Sequence, residues 1–309
     1  NLDDPPASRF VVRLRAESHN CWGNCEQNAT QVETLIQAMA NAIQPQEIDP
    51  NLIVSKALKL VEGTVASGGK RYNANEIARY EFQTGHGTIA YDTSGVDPAA
   101  HLQLIGDVEW VGGWGINIRA SDGRPSKAQA STTASRKFHQ LITETGEFSI
   151  EAWVVPGNVT QEDARIVSYS GSTTARNFTM GQNQYNYEFY TRSTATDGNG
   201  MPRLATADAA QRLQASLQHV VMTFDPVNGR RIYVNGEFTG DIDAQGGGTL
   251  GEWDDSFAFV LGNEVSNNRQ WQGVIRFVAV HRRALTPEQV QQNFAAGVGQ
   301  KYFLLFGIE

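Results

Sequence analysis

HVVMTFDPVNGRRIYVNGEFTGD, residues 219–241, is the stretch of this sequence that decides its fold. It holds three short runs rich in β-branched and aromatic residues, and two turn sequences separate them. The first turn is DPVNG at 225–229, and the second is the dipeptide Asn235-Gly236. An Asn-Gly pair favours a type I′ hairpin because both residues tolerate positive φ. The stretch therefore predicts a three-stranded antiparallel meander.

The same character extends over most of the chain. From about residue 74 onward, short apolar runs alternate with clusters of Gly, Asn and Asp, which is typical of antiparallel β-structure. Strands are predicted at 148–154, 256–261 and 273–280. Near the end, Thr286-Pro287 predicts the start of a short helix, because Thr caps a helix and Pro suits its first turn.

The first 74 residues have a different organisation. Residues 9–15 alternate between apolar and polar side chains, which predicts a strand. Apolar residues at helical spacing then predict a helix over 30–43. We therefore divide the chain into an N-terminal strand with a helical lead-in at 1–74 and a β-sandwich at 75–309. An apolar final strand at 302–308 is expected to pair with the first one.

Charge and composition limit the partners of this chain. Its 309 residues include 40% hydrophobic ones, which is enough for a substantial core. The formal net charge of −8 argues against nucleic acid as a partner, because binding a polyanion needs a basic surface. No apolar run approaches membrane-spanning length. The chain starts at Asn1 rather than Met, so we expect a processed start or a fragment.

Eight short motifs follow one another in a fixed order between residues 75 and 297. They are YEF (80–82), DTSG (92–95), FSIEAW (148–153), HVVMTFD (219–225), IYVNG (232–236), LGN (261–263), WQG (271–273) and ALTPE (284–288). In this order they resemble the laminin-G-like, concanavalin A-like jelly-roll domains of exported bacterial proteins. Together with the helical patterns, the resemblance implies a mainly β chain. Its jelly-roll sandwich of two antiparallel sheets would carry an N-terminal helical segment and a short C-terminal helix.

The resemblance also implies a function in binding. Most domains of this kind bind glycans, proteins or calcium and do not catalyse reactions. We therefore expect an exported module (periplasmic, cell-surface or extracellular) that is not an enzyme. It would bind a carbohydrate or a surface protein at the sandwich rim or concave face. The alternatives are a structural or interaction domain of a larger exported assembly, and a polysaccharide-active enzyme of the jelly-roll class.

The resemblance requires no cofactor but allows a calcium ion. Family members commonly carry an acidic pair after a strand glycine, and this chain has Arg276 at that place instead. A calcium ion there is therefore in doubt. Asp92, in the DTSG turn, is the best single candidate ligand, because calcium binds through oxygen atoms. Its alternative role is to accept hydrogen bonds from its own turn.

A ligand face could combine aromatic platforms with amide and carboxylate groups. Sugar rings stack on Trp and Tyr, while polar side chains bind hydroxyl groups. The candidate residues are Tyr185, Tyr187, Trp253, Asn263, Glu264, Asn267 and Trp271. The alternative is that the aromatic residues form the core and the asparagines shape turns.

Both cysteines lie in HNCWGNC, residues 19–25. Haem attachment needs Cys-x-x-Cys-His, which the spacing does not provide. A zinc site needs further thiols or a histidine pair, and only His19 is near. A disulfide between Cys21 and Cys25 is the favoured interpretation, with free thiols as the alternative. The disulfide would indicate an oxidising compartment.

No catalytic constellation is recognisable. Glycoside cleavage needs an acid and a base or nucleophile on opposite sides of the sugar, and no predicted strand carries acidic residues at alternating positions. The glycine-rich stretch 63–70 departs from a phosphate-binding loop, since Arg71 stands where Ser or Thr would bind magnesium. We expect it to be a solvent-exposed loop.

Overall fold

The computed structural model describes residues 2, 4–43, 54–59, 70–112, 114–120, 123–244, 246–298 and 302–307. The chain divides into two compact units, Asn1–Ala57 with Leu304–Glu309 and Leu58–Phe303. One boundary, between residues 57 and 58, falls inside the predicted lead-in, and the other, between residues 303 and 304, falls inside the predicted final strand. None of the helices in the described ranges is long and apolar enough to cross a membrane.

The described residues form four α-helices and eighteen β-strands. The helices are α1 (Arg9–Arg15), α2 (Cys25–Ala42), α3 (Thr132–Thr143) and α4 (Pro287–Ala296). The first nine strands are β1 (Val54–Lys59), β2 (Glu76–Tyr80), β3 (Ile89–Ala90), β4 (Leu102–Ile105), β5 (Val108–Trp110), β6 (Ile116–Ile118), β7 (Lys127–Gln129), β8 (Phe148–Pro156) and β9 (Ala164–Ser172). The remaining strands are β10 (Ala175–Asn183), β11 (Asn186–Thr191), β12 (Leu204–Ala205), β13 (Gln218–Asp225), β14 (Gly229–Val234), β15 (Glu237–Ile242), β16 (Ala258–Leu261), β17 (Gly273–His281) and β18 (Tyr302–Gly307).

The N-terminal unit contains the helices α1 and α2. The predicted strand at 9–15 is wrong, because these residues form α1. Val11 and Leu14 are buried against Ala29 of α2, whereas Phe10 points to solvent. The three-residue spacing of Val11 and Leu14 suits a helix, and the α2 surface gives that helix a partner. The alternating pattern was ambiguous over so short a run.

A disulfide closes the entrance to α2. Cys21 and Cys25 are bonded, as predicted, and Cys25 is the first residue of the helix. The Asn24 side chain caps the helix by accepting hydrogen bonds from the N–H groups of Glu26 and Gln27. The predicted helix over 30–43 is confirmed and begins earlier than expected, where the cap and the disulfide fix its first turn.

The two-stranded sheet consists of β1 and β18. The predicted pairing of the final strand with residues 9–15 is therefore wrong, since residues 9–15 are helical and β18 lies beside β1. Of the glycine-rich stretch 63–70, all but Lys70 lies outside the described residues.

Two large sheets form the sandwich, and each contains eight strands. Sheet A has the order β12-β11-β10-β9-β16-β7-β4-β3. Sheet B has the order β15-β14-β13-β8-β17-β6-β5, with β2 also paired to β17. The predicted meander is confirmed as β13-β14-β15, all antiparallel. Asn235 and Gly236 both have positive φ, at 53° and 82°, as a type I′ turn requires.

Aromatic side chains fill the space between the sheets. Phe148 of β8 stacks on Phe178 of β10 and Phe224 of β13, with ring centroids 5.3 and 5.5 Å apart. Helix α3, which the sequence analysis did not predict, places Phe138 4.6 Å from Phe259. Alternate residues of each strand point inward to this core, so the residues between them face outward. Whether those outward-facing residues are exposed or buried determines where a ligand can bind.

The C-terminal helix α4 covers the outer face of sheet B. Its start is confirmed, since Thr286 and Gln289 form a reciprocal capping box. Phe294 of α4 stacks on Trp153 of β8, with centroids 5.8 Å apart. This packing buries an outward-facing tryptophan that would otherwise be exposed.

Candidate ligand-binding groove

The predicted aromatic platforms lie in the core. Trp271 is fully buried, and its indole N–H donates to Gln182 Oε1 at 2.8 Å. The indole N–H of Trp253 donates to the Arg192 carbonyl, and the Tyr187 hydroxyl donates to Gln218 Oε1. All three rings therefore pack with the sheets, and their predicted role as platforms is wrong. Apolar packing competes with ligand stacking for the same residue types.

The remaining predicted ligand residues separate into different roles. Asn263 is buried and shapes its loop by accepting hydrogen bonds from the N–H groups of Glu264 and Arg269. Asn267 is exposed in the same loop, and Tyr185 is exposed in the turn between β10 and β11. Glu264 is the one predicted residue that enters a charged network.

This network lies on the outer face of sheet A. Arg165 stands between two carboxylates, with Nε 3.6 Å from Glu264 Oε1 and NH1 4.0 Å from Glu188 Oε2. Arg176 NH1 lies 3.3 Å from the same oxygen of Glu264. All four side chains are less than 5% exposed. Outward-facing residues are usually solvated, so their burial indicates that loops cover this face.

Tyr190 contacts both arginines of the network and one of its carboxylates. The guanidinium groups of Arg165 and Arg176 lie over its ring, 4.7 and 4.8 Å from the centroid. Its hydroxyl donates to Glu188 Oε2 at 2.6 Å. Burial raises the pKa of Tyr190 to about 12, so the phenol stays protonated and keeps this donor role. Arg203 completes the pairing of Glu188 at 2.5 Å.

Glu264 also fixes the neighbouring hydroxyl groups. Ser168 Oγ donates to Glu264 Oε2 at 3.2 Å, and Ser170 Oγ bonds to the same oxygen. Burial lowers the pKa of Arg176, an effect that the charge of Glu264 opposes. The carboxylate therefore organises two arginines and two serines at once.

A groove of about 410 Å³ opens beside this network. It is lined by Gln129, Thr132, Ser170, Gly171, Ser172, Ala175, Ser256, Phe257, Ala258 and Val265. We call it the sheet A groove. Among the described residues, its lining contains hydroxyl and amide groups and no ionisable side chain. Its volume falls within the range of small-molecule sites.

Gly171 allows the Phe257 ring to pack on the backbone at the sheet A groove. A Cβ at this position would lie 2.6 Å from Cε1 of Phe257. The phenyl ring therefore packs directly on the glycine backbone, and any side chain there would displace it. Phe257 lies beside the hydroxyl groups of Ser172 and Ser256 in the lining and is itself buried.

A second, more enclosed cavity of about 310 Å³ lies near the end of β11. Arg230 and Asp243 line it and pair with each other at 2.6 Å. The guanidinium also donates to the carbonyls of Phe189 and Pro202. Because its charged groups are satisfied by one another, this cavity offers less for a ligand than the sheet A groove.

Asp92 is not available as a calcium ligand. Its Oδ1 accepts hydrogen bonds from the N–H groups of Arg79 and Ser94. Its Oδ2 accepts from the Ala100 N–H and from the buried ammonium of Lys137. Burial opposes ionisation, but these donors lower the pKa of Asp92. The predicted metal role is wrong for this residue, and its alternative role in the turn is correct.

Metal-binding clusters are not found elsewhere in the described ranges. No group of three or more His, Cys, Asp or Glu side chains in them is arranged to hold a metal ion. A calcium ion held mainly by backbone oxygens stays a prediction.

A second buried network lies on the outer face of sheet B, beneath α4. Glu151 Oε1 is 3.0 Å from His219 Nε2, and Oε2 is 3.3 Å from His281 Nε2. Asn293 of α4 donates to Oε2 at 2.7 Å, and Arg71 pairs with Oε1. Burial disfavours the carboxylate, but Arg71 and the imidazole hydrogen bonds hold the pKa of Glu151 well below its ordinary value.

Most of these residues are not among the candidates that the sequence indicates. Arg165 and Arg176 sit in strands whose polar residues look like ordinary solvated positions. The signal that could have found them is the segment ARIVSYSGS at 164–172, where an arginine and three serines are interspersed among apolar residues. The residues that pair with one another here, such as Arg176 and Glu264, are distant in sequence, so the sequence pattern alone does not reveal the burial.

Sequence comparison agrees with this architecture. The family profile of laminin G type, described as the concanavalin A-like lectin/glucanases superfamily, matches residues 126–291. The match covers more than half of the chain. The chain belongs to the concanavalin A-like superfamily. The resemblance and the fold class inferred from the ordered motifs are both confirmed. A search of curated proteins finds no significant match.

Solved structures of the same superfamily fold include toxin domains. The botulinum neurotoxin serotype C1 binding domain superposes with a TM-score of 0.57 at 14% identity, over 73% of this chain and 53% of that one. The receptor binding domain of the C/D mosaic serotype gives 0.52 at 14% identity, over 73% and 52%. A type C structure, from work on cell entry through interaction with two ganglioside molecules, gives 0.54 at 14% identity, over 72% and 52%.

These similarities show that the chain and the toxin domains share a fold. The chain spans about half the length of the solved chains that it matches. At 14% identity, the correspondence is one of backbone architecture. The first two of these structures are described as a binding domain and a receptor binding domain.

Proposed function

We propose that the sandwich is a non-catalytic binding module that holds a carbohydrate in the sheet A groove. The observation that carries the proposal is the neutral lining, which combines hydroxyl and amide groups with apolar side chains. Sugars present hydroxyl groups and apolar ring faces, so they match such a surface. An anionic or strongly basic ligand would find no ionised partner among the described residues of this lining.

The buried network supports binding because it keeps the groove floor rigid. Ser170 is held by Glu264, and Glu264 is held in turn by Arg165 and Arg176. A preorganised floor lowers the entropy that a ligand must lose on binding. The groove therefore needs no rearrangement to present its polar groups.

The same network argues for binding over catalysis. Glu188 and Glu264 are the two carboxylates on this face that resemble a catalytic pair. Both are buried and share the guanidinium of Arg165, so neither presents an oxygen to a sugar in the groove. Glycoside cleavage requires carboxyl groups that reach the scissile bond.

The structural neighbours give independent support. A botulinum neurotoxin type C structure concerns interaction with two ganglioside molecules, and others are receptor binding domains. Gangliosides carry oligosaccharides, so a carbohydrate is the ligand class shared by this proposal and that neighbour. We also propose that the chain is an exported bacterial protein. The disulfide between Cys21 and Cys25 supports export, because such bonds persist in oxidising compartments.

A glycan array probed with the full chain tests this function. The array should include neutral oligosaccharides and ganglioside headgroups, and we expect binding to a subset of the neutral ones. Gln129→Ala should weaken the best interaction by roughly tenfold, because it removes one hydrogen-bonding group. Thr88→Ala, an exposed position outside the groove, is the matched control. Binding to no glycan, or an unchanged affinity of Gln129→Ala, would exclude the groove as the site.

A role in protein assembly is the second candidate, and the N-terminal unit favours it. Trp22, Leu35 and Met39 are each more than half exposed there. Apolar side chains of this size are usually covered by a partner when they cluster. Sedimentation of the full chain should then show self-association or complex formation, and Leu35→Glu should abolish it. A chain that stays monomeric alone and forms no complex with any added protein would contradict this role.

A further inference from the structure

The segment 70–75, which we call the strap, contacts the network on sheet B through the Arg71 side chain and the Tyr72 backbone, and the Tyr72 side chain packs on the buried cluster around Val290. Arg71 reaches Glu151 and also donates to the Gly297 carbonyl at 2.5 Å. The rest of the strap bonds to α4 and to the end of β17. The Tyr72 N–H donates to Asn293 Oδ1 at 2.6 Å, and the Arg282 N–H donates to the Asn75 carbonyl at 2.9 Å. Arg71 is thus the charged anchor of the strap.

The Glu151 carboxylate has no capacity for further donors. Its two oxygens receive Arg71, Asn293 and the two imidazole Nε2 atoms. A carboxylate only accepts, so each Nε2 must carry the proton. The remaining Nδ1 atoms of His219 and His281 therefore hold lone pairs. Both are buried, and no donor or acceptor among the described residues reaches them.

Four elements face the two imidazoles, and three of them contribute charged groups. Glu151 lies on β8 and Arg71 on the strap, while α4 contributes the uncharged Asn293. From β2, Glu76 faces His281, and Arg79 pairs with Glu76 at 3.0 Å. The two acidic and two basic groups cancel while both imidazoles are neutral. One further proton leaves the site with an uncompensated positive charge, which is costly to bury.

Arg71 is the cation that can leave most easily. Its side chain is 17% exposed, whereas the two histidines and Glu151 are fully buried. Departure of Arg71 restores charge balance, because the protonated imidazole replaces the guanidinium beside Glu151. The guanidinium then regains hydration, which the imidazoles on the sheet cannot do.

We propose that the strap is a pH-sensitive latch, in which a proton taken up by His219 or His281 displaces Arg71 from Glu151 and weakens the attachment of residues 70–75 to sheet B. The proton comes from solvent and binds Nδ1, and no covalent bond other than N–H forms. Imidazole is the side chain whose charge changes between about pH 8 and pH 5. Helix α4 stays on the sheet through Phe294 and Val290.

Hydrogen exchange of the full chain, followed by mass spectrometry and corrected for the intrinsic pH dependence, tests the latch. Between pH 7.5 and pH 5.0, protection of residues 70–75 should fall by about tenfold or more, while β8 and β13 stay protected. The double variant H219Q/H281Q should keep the strap protected at both pH values, because Gln still donates to Glu151 but does not titrate. The matched control His86→Gln, at an exposed position, should respond as the wild type does.

A third variant reproduces the released state. Arg71→Gln removes the anchoring charge, so the strap should exchange rapidly at both pH values. Equal strap protection of the wild type at the two pH values overturns the proposal. So does a pH response that survives in H219Q/H281Q, or loss of protection throughout the sandwich at the same pH. If the double variant does not fold, His281→Gln alone should reduce the response, and an undiminished response there overturns the latch as well.

Discussion

On the outer face of each sheet, one buried carboxylate contacts several polar or charged side chains. Glu264 on sheet A pairs with two arginines and accepts hydrogen bonds from two serines. Glu151 on sheet B gathers a guanidinium, two imidazoles and an amide. A buried ion pair contributes little compared with an apolar pair, but removal of one partner leaves the other charge unpaired. These residues should therefore be sensitive to substitution.

Glu264→Gln should lower the free energy of unfolding by about 3 kcal/mol, because it leaves Arg165 and Arg176 buried with reduced compensation. Urea unfolding followed by far-ultraviolet circular dichroism measures this change. Glu162→Gln is the matched control, since Glu162 is exposed and accepts a hydrogen bond from Gln184 at 2.7 Å. If Glu264→Gln lowers the free energy of unfolding as little as the control does, the network does not contribute this stability.

Gly171→Ala should cost about 1–3 kcal/mol, because its Cβ would overlap the Phe257 ring. The expected result is a lower urea midpoint with an unchanged slope. At Gly251 a Cβ would meet nothing within 4 Å, so Gly251→Ala should change stability little. Equal effects of the two substitutions would contradict the close packing of the ring on the glycine.

The elements differ in what stabilises them. The hairpins of the sandwich follow from local turn chemistry, as Asn235-Gly236 shows. The helices α1 and α2 have a small shared core of Val11, Leu14 and Ala29. So small a core leaves the cap at Asn24 and the disulfide as major contributors to their stability.

Replacement of both cysteines by serine should destabilise the N-terminal helices by about 2 kcal/mol, because the short covalent loop no longer restricts the unfolded chain. Hydrogen exchange of α2 should then rise, while the strands of sheets A and B stay unchanged. The wild type in the presence of a reductant provides an independent comparison, since it loses the same bond without a change of sequence. Unchanged exchange of α2 in both samples would mean that the disulfide adds no stability.

The control for the cysteine replacement is the sandwich itself, measured in the same samples. Its strands contain no cysteine, so their exchange should be identical in the wild type, the reduced wild type and the double variant. A change in sheet A or sheet B would show that the substitutions act beyond the helices.

At the scale of the whole molecule, acid should destabilise the fold. The pKa values of Glu151 and Asp92 are lowered in the folded state, so the unfolded chain binds more protons than the folded one as pH falls. Both carboxylates therefore contribute stability above their unfolded pKa of about 4, and this contribution is lost as pH falls toward their folded values. Burial raises the pKa of Glu76, which acts in the opposite direction and offsets part of the loss.

Urea midpoints measured from pH 7 downward test this dependence, and they should fall steeply below about pH 4.5. Asp92→Asn should be less stable than the wild type at pH 7 and should show a flatter pH profile, because one linked group is gone. Asp208→Asn, in an exposed turn, is the matched control and should keep the wild-type profile. A profile of Asp92→Asn parallel to that of the wild type would remove this carboxylate from the acid response.

The sequence by itself determined the features that depend on neighbouring residues. The Asn235-Gly236 hairpin, the Thr286 cap and the Cys21–Cys25 bond each follow from a few adjacent side chains, and the ordered motifs indicated the superfamily. Residues 9–15 were misjudged because so short a run fits either period, and only the α2 surface decides between them.

Only the tertiary structure decided where the polar and aromatic residues act. Trp253 and Trp271 were candidates for a ligand face, and packing between the sheets places them in the core. Glu264 meets Arg165 and Arg176 because loops and strands that are distant in sequence converge on sheet A. Turn chemistry and periodicity are local properties, whereas burial and charge pairing arise from contacts between distant segments. The fold could therefore be predicted from the sequence, whereas the groove could not.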